Sequence, residues 1–452
     1  MKKSSFLIIL LITIVYSFNV YAKDTVISLN KYSEEKFNFI EKAYDVEGKH
    51  TGYITGGHVL KETIELEDNK YNDYQAIVVK YDDKNKVEWK YLYGQTKEDY
   101  LDCLSYTYDA EGKIDGYLLV SLATSNVDEP NSNESVFIKL SLDGKEVSQK
   151  ALNINNQVKI NKIVTTYNNE GIVDGYIAIG NSNGNSSYLI KLDRELNIVW
   201  SRTTYKDNYE YVNYLDLTTI TQDKKVIGYA LLKELGKGNL EKEIKLFRYN
   251  LNGEEPVQIG DDFNKYSSYS LAEANDGFII YGATPEVKLS KGDNSYYLIN
   301  YNANNENYWE TVGDSPLDKD KNVRLLPLKS DNEIKEYLLL YSNNIAKSSE
   351  IVKIKADGEI KDKIKKIYDE YYNITEFTFT NDVIYLVGQI NCPKDDTCEY
   401  DSNSLFLVSD EERVIEVKDN DSRNVLIIMG IFIIMIIGTI LYRRKRTLKY
   451  VK

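Results

Sequence analysis

Residues 175–200, GYIAIGNSNGNSSYLIKLDRELNIVW, decide the fold. Gly175-Tyr176 opens an apolar run through Ile179, a polar loop of Asn, Ser and Gly interrupts it, and Tyr188-Leu189-Ile190-Lys191-Leu192 is apolar again. Asp193-Arg194 breaks that run, and Ile198-Val199-Trp200 starts another. β-Branched and aromatic residues suit a pleated, packed surface, whereas Asn, Asp, Gly and Ser supply turns. With the alternating segment upstream, the stretch reads as a hairpin-connected unit of four short strands.

Outward from this unit the same theme returns seven times. Its second strand recurs at Tyr53, Tyr117, Tyr176, Tyr229, Phe278, Tyr337 and Tyr385, preceded by Gly in the first five copies. The mean spacing is about 55 residues. The third strand is followed each time by a breaker such as Asp82-Asp83, Asp143-Gly144, Asn252-Gly253 or Asp357-Gly358, and the Asx-Gly pairs favour tight hairpins because both central positions tolerate positive φ. Trp89, Trp200 and Trp309 mark the fourth strand in three copies, a slot expected to pack between units. One such unit cannot bury both faces, so neighbours must stack. The expectation is an all-β chain: a seven-bladed β-propeller of four-stranded blades over residues 23–418, closed so that no long sheet edge is open. A β-solenoid or open stack is the alternative; the long unit and freely varying loops argue against it.

The series Gly-Tyr-apolar, then apolar-Lys-Leu-Asp, then Ile-Val-Trp resembles the repeat of bacterial cell-surface β-propellers related to the PQQ-like and WD40-like groups. The resemblance covers most of residues 37–418 and implies architecture rather than chemistry.

Composition sets the class. The 452 residues are 42% hydrophobic and 28% charged, which excludes a disordered tail protein or a polytopic transporter. The net charge is −14, and both chain ends are purely basic, so the stretch between carries the acid excess and is a poor partner for nucleic acid.

Those ends read as membrane signals. Lys2 and Lys3, the apolar residues 6–15 and Val20-Tyr21-Ala22 predict a signal peptide over residues 1–22, with an uncleaved anchor helix as the other possibility. Residues 425–442, VLIIMGIFIIMIIGTILY, hold no charge and predict one transmembrane helix. Arg443, Arg444, Lys445 and Arg446 follow and place the tail, residues 443–452, in the cytoplasm. Residues 419–424 are a short juxtamembrane linker that keeps the exterior close to the bilayer. The end resembles that of sortase substrates, yet no Leu-Pro-x-Thr-Gly precedes it, so the span is expected to be retained.

Candidates for chemistry are few. His50 and His58 are the only histidines, too few for a triad or a His-rich metal centre, and are expected in loops or solvent. Cys392 and Cys398 flank a short polar loop and can form a local disulfide; Cys103 reads as a buried small hydrophobe. Asp-box and vicinal-disulfide signatures are missing, and acidic turns at residues 318–320 and 394–396 lack calcium-loop spacing. No cofactor or metal is therefore expected. Most of the 39 tyrosines fall on strand positions and read as core. The functional expectation is a membrane-anchored, non-catalytic binding or scaffold module for a surface protein or glycan close to the membrane. The alternative is a surface glycan hydrolase using an Asp/Glu pair at the propeller axis.

Overall fold

In the computed structural model, residues 25–26, 35–66, 69–94, 99–124, 133–152, 154, 158–168, 170–182, 186–204, 209–236, 242–260, 263, 268–283, 295–314, 323–330, 333–343, 348–367, 372–380, 383–390 and 404–410 are described. Residues 1–411 belong to one compact unit and residues 412–452 to a second. The signal peptide, the linker, the segment 425–442, Arg443 to Arg446 and the Cys392/Cys398 pair all lie outside the described residues. Among the described residues no helix is long and apolar enough to cross a membrane.

The fold is an all-β propeller built from repeated four-stranded antiparallel meanders. Six sheets each use four consecutive strands, as in the third: Val158–Tyr167, Val173–Ser182, Ser187–Asp193 and Ile198–Thr204. A last group of three strands, from Tyr372–Thr380 to Ser404–Asp410, is completed at its outer edge by Thr25–Val26, where Thr25 pairs with Val408. The first strand of each sheet is innermost: Glu35–Tyr44, Asp99–Tyr108, Val158–Tyr167, Tyr211–Gln222, Ser268–Glu273, Val323–Ser330 and Tyr372–Thr380. Each of these touches the inner strand of the next sheet, and the last touches the first.

The core lies between sheets, which explains why the second strands read as continuous apolar runs. In the second sheet Tyr117 and Leu119 face the first sheet, while Leu118 and Val120 face the third. In the third sheet Tyr176 and Ala178 face back, and Ile177 and Ile179 face forward to the fourth. Period-two alternation thus sorts side chains between two buried faces rather than between core and water. Among the described residues nine tyrosines are fully buried, Tyr53, Tyr117, Tyr176, Tyr229 and Tyr337 of the Gly-Tyr series among them; Phe278 is buried with them, and Tyr385 nearly so. Two of these hydroxyls tie neighbouring sheets: Tyr176 donates to the Tyr106 carbonyl of the preceding sheet at 3.1 Å, and Tyr117 accepts from the Tyr44 N–H of its preceding sheet at 3.2 Å.

The glycine of the Gly-Tyr pair has a steric cause. A Cβ on Gly175, whose φ is 147°, would stand 2.0 Å from the Leu192 carbonyl oxygen of the third strand, a backbone atom that cannot yield.

The three tryptophans pack on the next sheet. Trp89 donates its Nε1–H to the Leu142 carbonyl at 3.2 Å, and its indole covers Gly144, where a Cβ would lie 2.5 Å from the ring. Trp200 covers Gly253 and Trp309 covers Gly358 in the same way. Tryptophan in the first, third and fifth sheets and Asx-Gly in the turns of the second, fourth and sixth are therefore two halves of one contact.

Two sequence expectations need correction. The Asx-Gly turns are three-residue loops: Gly144 N–H donates to the Ser141 carbonyl at 2.9 Å, Ser141 N–H donates to Lys145 at 2.8 Å, and only Gly144 has positive φ, 81°. A type I turn closed by one left-handed residue needs no positive φ at its central positions. The two-residue turn with both central φ values positive occurs instead at Asp223-Lys224, which has no glycine. The histidines are likewise not in loops. Both lie on the strand His50–Leu66, His50 edge-on to Tyr44 and His58 edge-on to Tyr100 at 4.8 Å and Tyr74 at 5.6 Å; burial lowers His58 to about 4, so its ring is neutral and packs as an aromatic.

Candidate functional site

The inner strands are where the sequence pattern departs from regular pairing. In five of them the register with the second strand slips by one residue, after Phe37, Leu101, Ile160, Tyr214 and Ile374. Such a bulge inserts one unpaired residue and re-aims its neighbours. The residues just past the five slips, Phe39, Cys103, Lys162, Asp216 and Glu376, line one axial cavity together with Ser270 and Arg324 of the fifth and sixth sheets, so every inner strand contributes.

This cavity has a volume of about 290 Å³. Lys162, Ser270 and Arg324 also line a second space, which in turn shares Tyr167 and Glu273 with a wider one of about 460 Å³ among the turns at the ends of the inner strands. Shared lining residues make the three spaces neighbours between the axis and that end.

Charged groups in the cavity are tied from sheet to sheet. Arg324 Nη1 donates to Glu376 Oε2 at 2.8 Å, and its Nη2 stands 3.7 Å from Glu41 Oε1. Lys162 pairs with Asp216, whose other oxygen accepts the Leu271 N–H of the next sheet at 2.6 Å. Ser270 Oγ accepts the Leu325 N–H of the sheet after that at 3.2 Å, and Thr375 donates to the Phe37 carbonyl at 2.8 Å, bridging last sheet to first. Glu376 also accepts the Phe377 N–H at 2.9 Å. The ties between neighbouring sheets run from the third sheet through the last to the first.

Ionisation follows from enclosure. Burial raises Glu41 to about 7; Arg324 opposes the rise, Glu376 adds to it, and the Tyr106 hydroxyl and Lys42 oppose it further. Glu376 is also raised by burial, with Arg324 and the Phe377 N–H pulling it back. Arg324 is pushed above its ordinary value, chiefly by Glu376. Burial likewise raises the Cys103 thiol, which keeps it protonated and unreactive.

The sign for Glu41 yields a test. Between about pH 4.5 and pH 7 the folded chain keeps a proton that the unfolded chain has released, so ionising Glu41 subtracts stability as pH rises through that window. With 26% of its side chain facing the cavity, the cost at pH 8 is about 1 to 2 kcal/mol. Glu41→Gln is expected to be more stable than the parent by that amount at pH 8 and equal to it at pH 4, read from urea melts; an equal difference at both pH values contradicts the assignment.

The sequence-selected residues are distributed through the sheets and not gathered here. Tyr53, Tyr117, Tyr176, Tyr229, Phe278, Tyr337 and Tyr385 are inter-sheet core, and Trp89, Trp200 and Trp309 are at sheet contacts near the rim. Sequence reasoning missed Glu41, Lys162, Asp216, Arg324 and Glu376. The available signal was a doubled polar step inside an alternating strand, as at Asn161-Lys162 and Thr375-Glu376.

No protein-family model matches the chain, and no curated protein matches it. Among solved structures, it is similar to the WD40 domain of SCAP from fission yeast, at 8% identity and TM-score 0.39, covering 87% of this chain and 100% of that one. It is also similar to the Nup133 β-propeller domain of Vanderwaltozyma polyspora, at 10% identity and TM-score 0.38 over 85% and 99% of the two chains. A third similarity is to cobalt-substituted Synechocystis apocarotenoid oxygenase, at 9% identity and TM-score 0.37 over 75% and 95%. The architecture of this chain rests on its own strand order and inter-sheet contacts.

Proposed function

We propose that the chain is a seven-bladed propeller displayed outside a membrane, anchored by residues 425–442, and that it serves as a non-catalytic binding module for a protein or glycan close to the bilayer. The observation that carries the non-catalytic part is the use of the axial acids. Glycoside hydrolysis requires one carboxylic acid and one carboxylate free to reach a bond between them. Of the three axial acids, Glu376 is held by Arg324 and a backbone N–H and Asp216 by Lys162 and a backbone N–H, so Glu41 has no second free carboxylate to work with. The anchoring part is supported by the uncharged segment and the four consecutive cations after it.

The test uses the full-length protein. It is expected in the membrane fraction, cut by protease added to intact cells, and to retain a reproducible protein or glycan partner after capture from detergent-solubilised membranes. Recovery in the soluble fraction contradicts the anchoring, and glycan turnover abolished by Glu41→Gln contradicts the non-catalytic reading.

A further inference from the structure

The axial cavity carries more hydrogen-bonding capacity than its own ties consume. Arg324 has five N–H donors. Nη1 is used by Glu376, whereas Nη2 is 3.7 Å from Glu41, beyond hydrogen-bond reach, and 37% of the side chain faces the cavity. Lys162 gives one of its three donors to Asp216 and is 30% open to the same space. On the opposite account, Glu41 Oε2 accepts only a long bond of 3.4 Å from Tyr106, and Oε1 faces the gap toward Arg324. Two cations with spare donors and one carboxylate with spare acceptor capacity therefore line one partly open space.

We propose that this cavity is a binding site for a small zwitterion, an α-amino acid or short peptide, whose carboxylate meets Arg324 and Lys162 and whose ammonium meets Glu41. The ligand carries both charges, so entry leaves the net charge of the cavity unchanged, whereas a lone anion or a lone cation adds uncompensated charge to a partly buried site. Size agrees. At roughly 30 Å³ per water the space holds about ten waters, or one solute of about ten non-hydrogen atoms. The inference is independent of whether the outer surface docks a macromolecule.

Glu41 provides a readout that a purely structural ion-pair ring lacks. The titratable groups that interact with it are Arg324, Glu376, the Tyr106 and Tyr108 hydroxyls of the next inner strand, and Lys42 and Tyr44 on its own strand. An ammonium placed beside its carboxylate favours the charged form, so binding near pH 7 releases a proton.

The experiment is isothermal titration of the full-length protein in detergent at pH 7 with glycine, L-alanine, L-glutamate and alanylalanine, each in two buffers of different ionisation enthalpy. Acetate and ethylamine are the one-charge controls. At least one zwitterion is expected to bind with Kd of about 1 mM or tighter. The controls are expected at least about tenfold weaker, and Glu41→Gln, which keeps the fold, is expected to weaken the zwitterion about tenfold and abolish the buffer dependence. Lys162→Gln is expected to weaken it without removing proton release. The proposal is overturned if no zwitterion binds saturably, if acetate or ethylamine binds as well as the zwitterion, or if Glu41→Gln leaves affinity and proton release unchanged.

Discussion

Gly175→Val is expected to cost about 4 kcal/mol of stability, a large share of the roughly 5 to 15 kcal/mol that holds an ordinary domain folded. The added Cβ would meet the Leu192 carbonyl oxygen at 2.0 Å and the Asp193 backbone at 2.9 Å, and φ of 147° is unfavourable for a β-branched side chain. Neither obstacle is a flexible side chain, so relief requires prising the third strand from the second. The control is Gly171→Ala, four residues upstream. It too has positive φ, 79°, but nothing lies within 4 Å of its added Cβ, and its cost is the backbone term alone, about 1 kcal/mol. Chemical denaturation of the two variants separates the explanations: similar losses at both sites would show that the steric account of the Gly-Tyr motif is wrong.

Arg324→Met is expected to be the most damaging single change at the axis, about 3 to 5 kcal/mol. It leaves Glu376, with 9% of its side chain exposed, and the enclosed Glu41 without their shared cation. The loss arises from Glu376 left without its counter-charge beside Glu41, whose carboxyl is pushed further toward its neutral form, so it must shrink when Glu376 is neutralised. The double variant Arg324→Met, Glu376→Gln should recover at least half of it, and lowering the pH to about 4 should recover part of it in the single variant. A loss that persists undiminished in both conditions would assign the defect to packing of the arginine stem instead.

How much of this was legible in the sequence depends on which face of a strand a residue occupies. Tyr176 and Ile177 announce a strand buried on both faces, because alternation between two cores still gives an unbroken apolar run. Trp200 and Gly253 were each visible as repeat marks, but their contact joins positions 53 apart, and only coordinates show that one covers the other. The turn type was misjudged for a local reason. Asp143-Gly144 has the composition of a two-residue turn, and the choice between that and a three-residue loop is set by the strand register on either side.

The axial residues were the hardest to read. Glu41, Lys162, Asp216, Arg324 and Glu376 belong to five different repeats, and none stands in a motif. They converge because bulges after Ile160, Tyr214 and Ile374 turn the next side chain toward the axis and because the inner strands meet there. A bulge is a one-residue mismatch between partners and leaves only a doubled polar step in the sequence. His58 misled for the opposite reason: a titratable ring was taken for a solvent group when its neighbours Tyr74 and Tyr100 make it one more packed aromatic.

Every functional argument above needs the last sheet to sit beside the first. A spin-label distance between Val46→Cys and Thr380→Cys, in a background with Cys392 and Cys398 replaced by Ser, measures that directly. Val46 is in the first inner turn and 79% exposed, and Thr380 ends the corresponding inner strand of the last sheet. With those inner strands in contact, the labels are predicted to lie within about 25 Å of each other, tethers included. Seven sheets stacked in an open row at about 10 Å each would put them roughly 60 Å apart, and a distance near that value would contradict the closed ring and the axial site built on it.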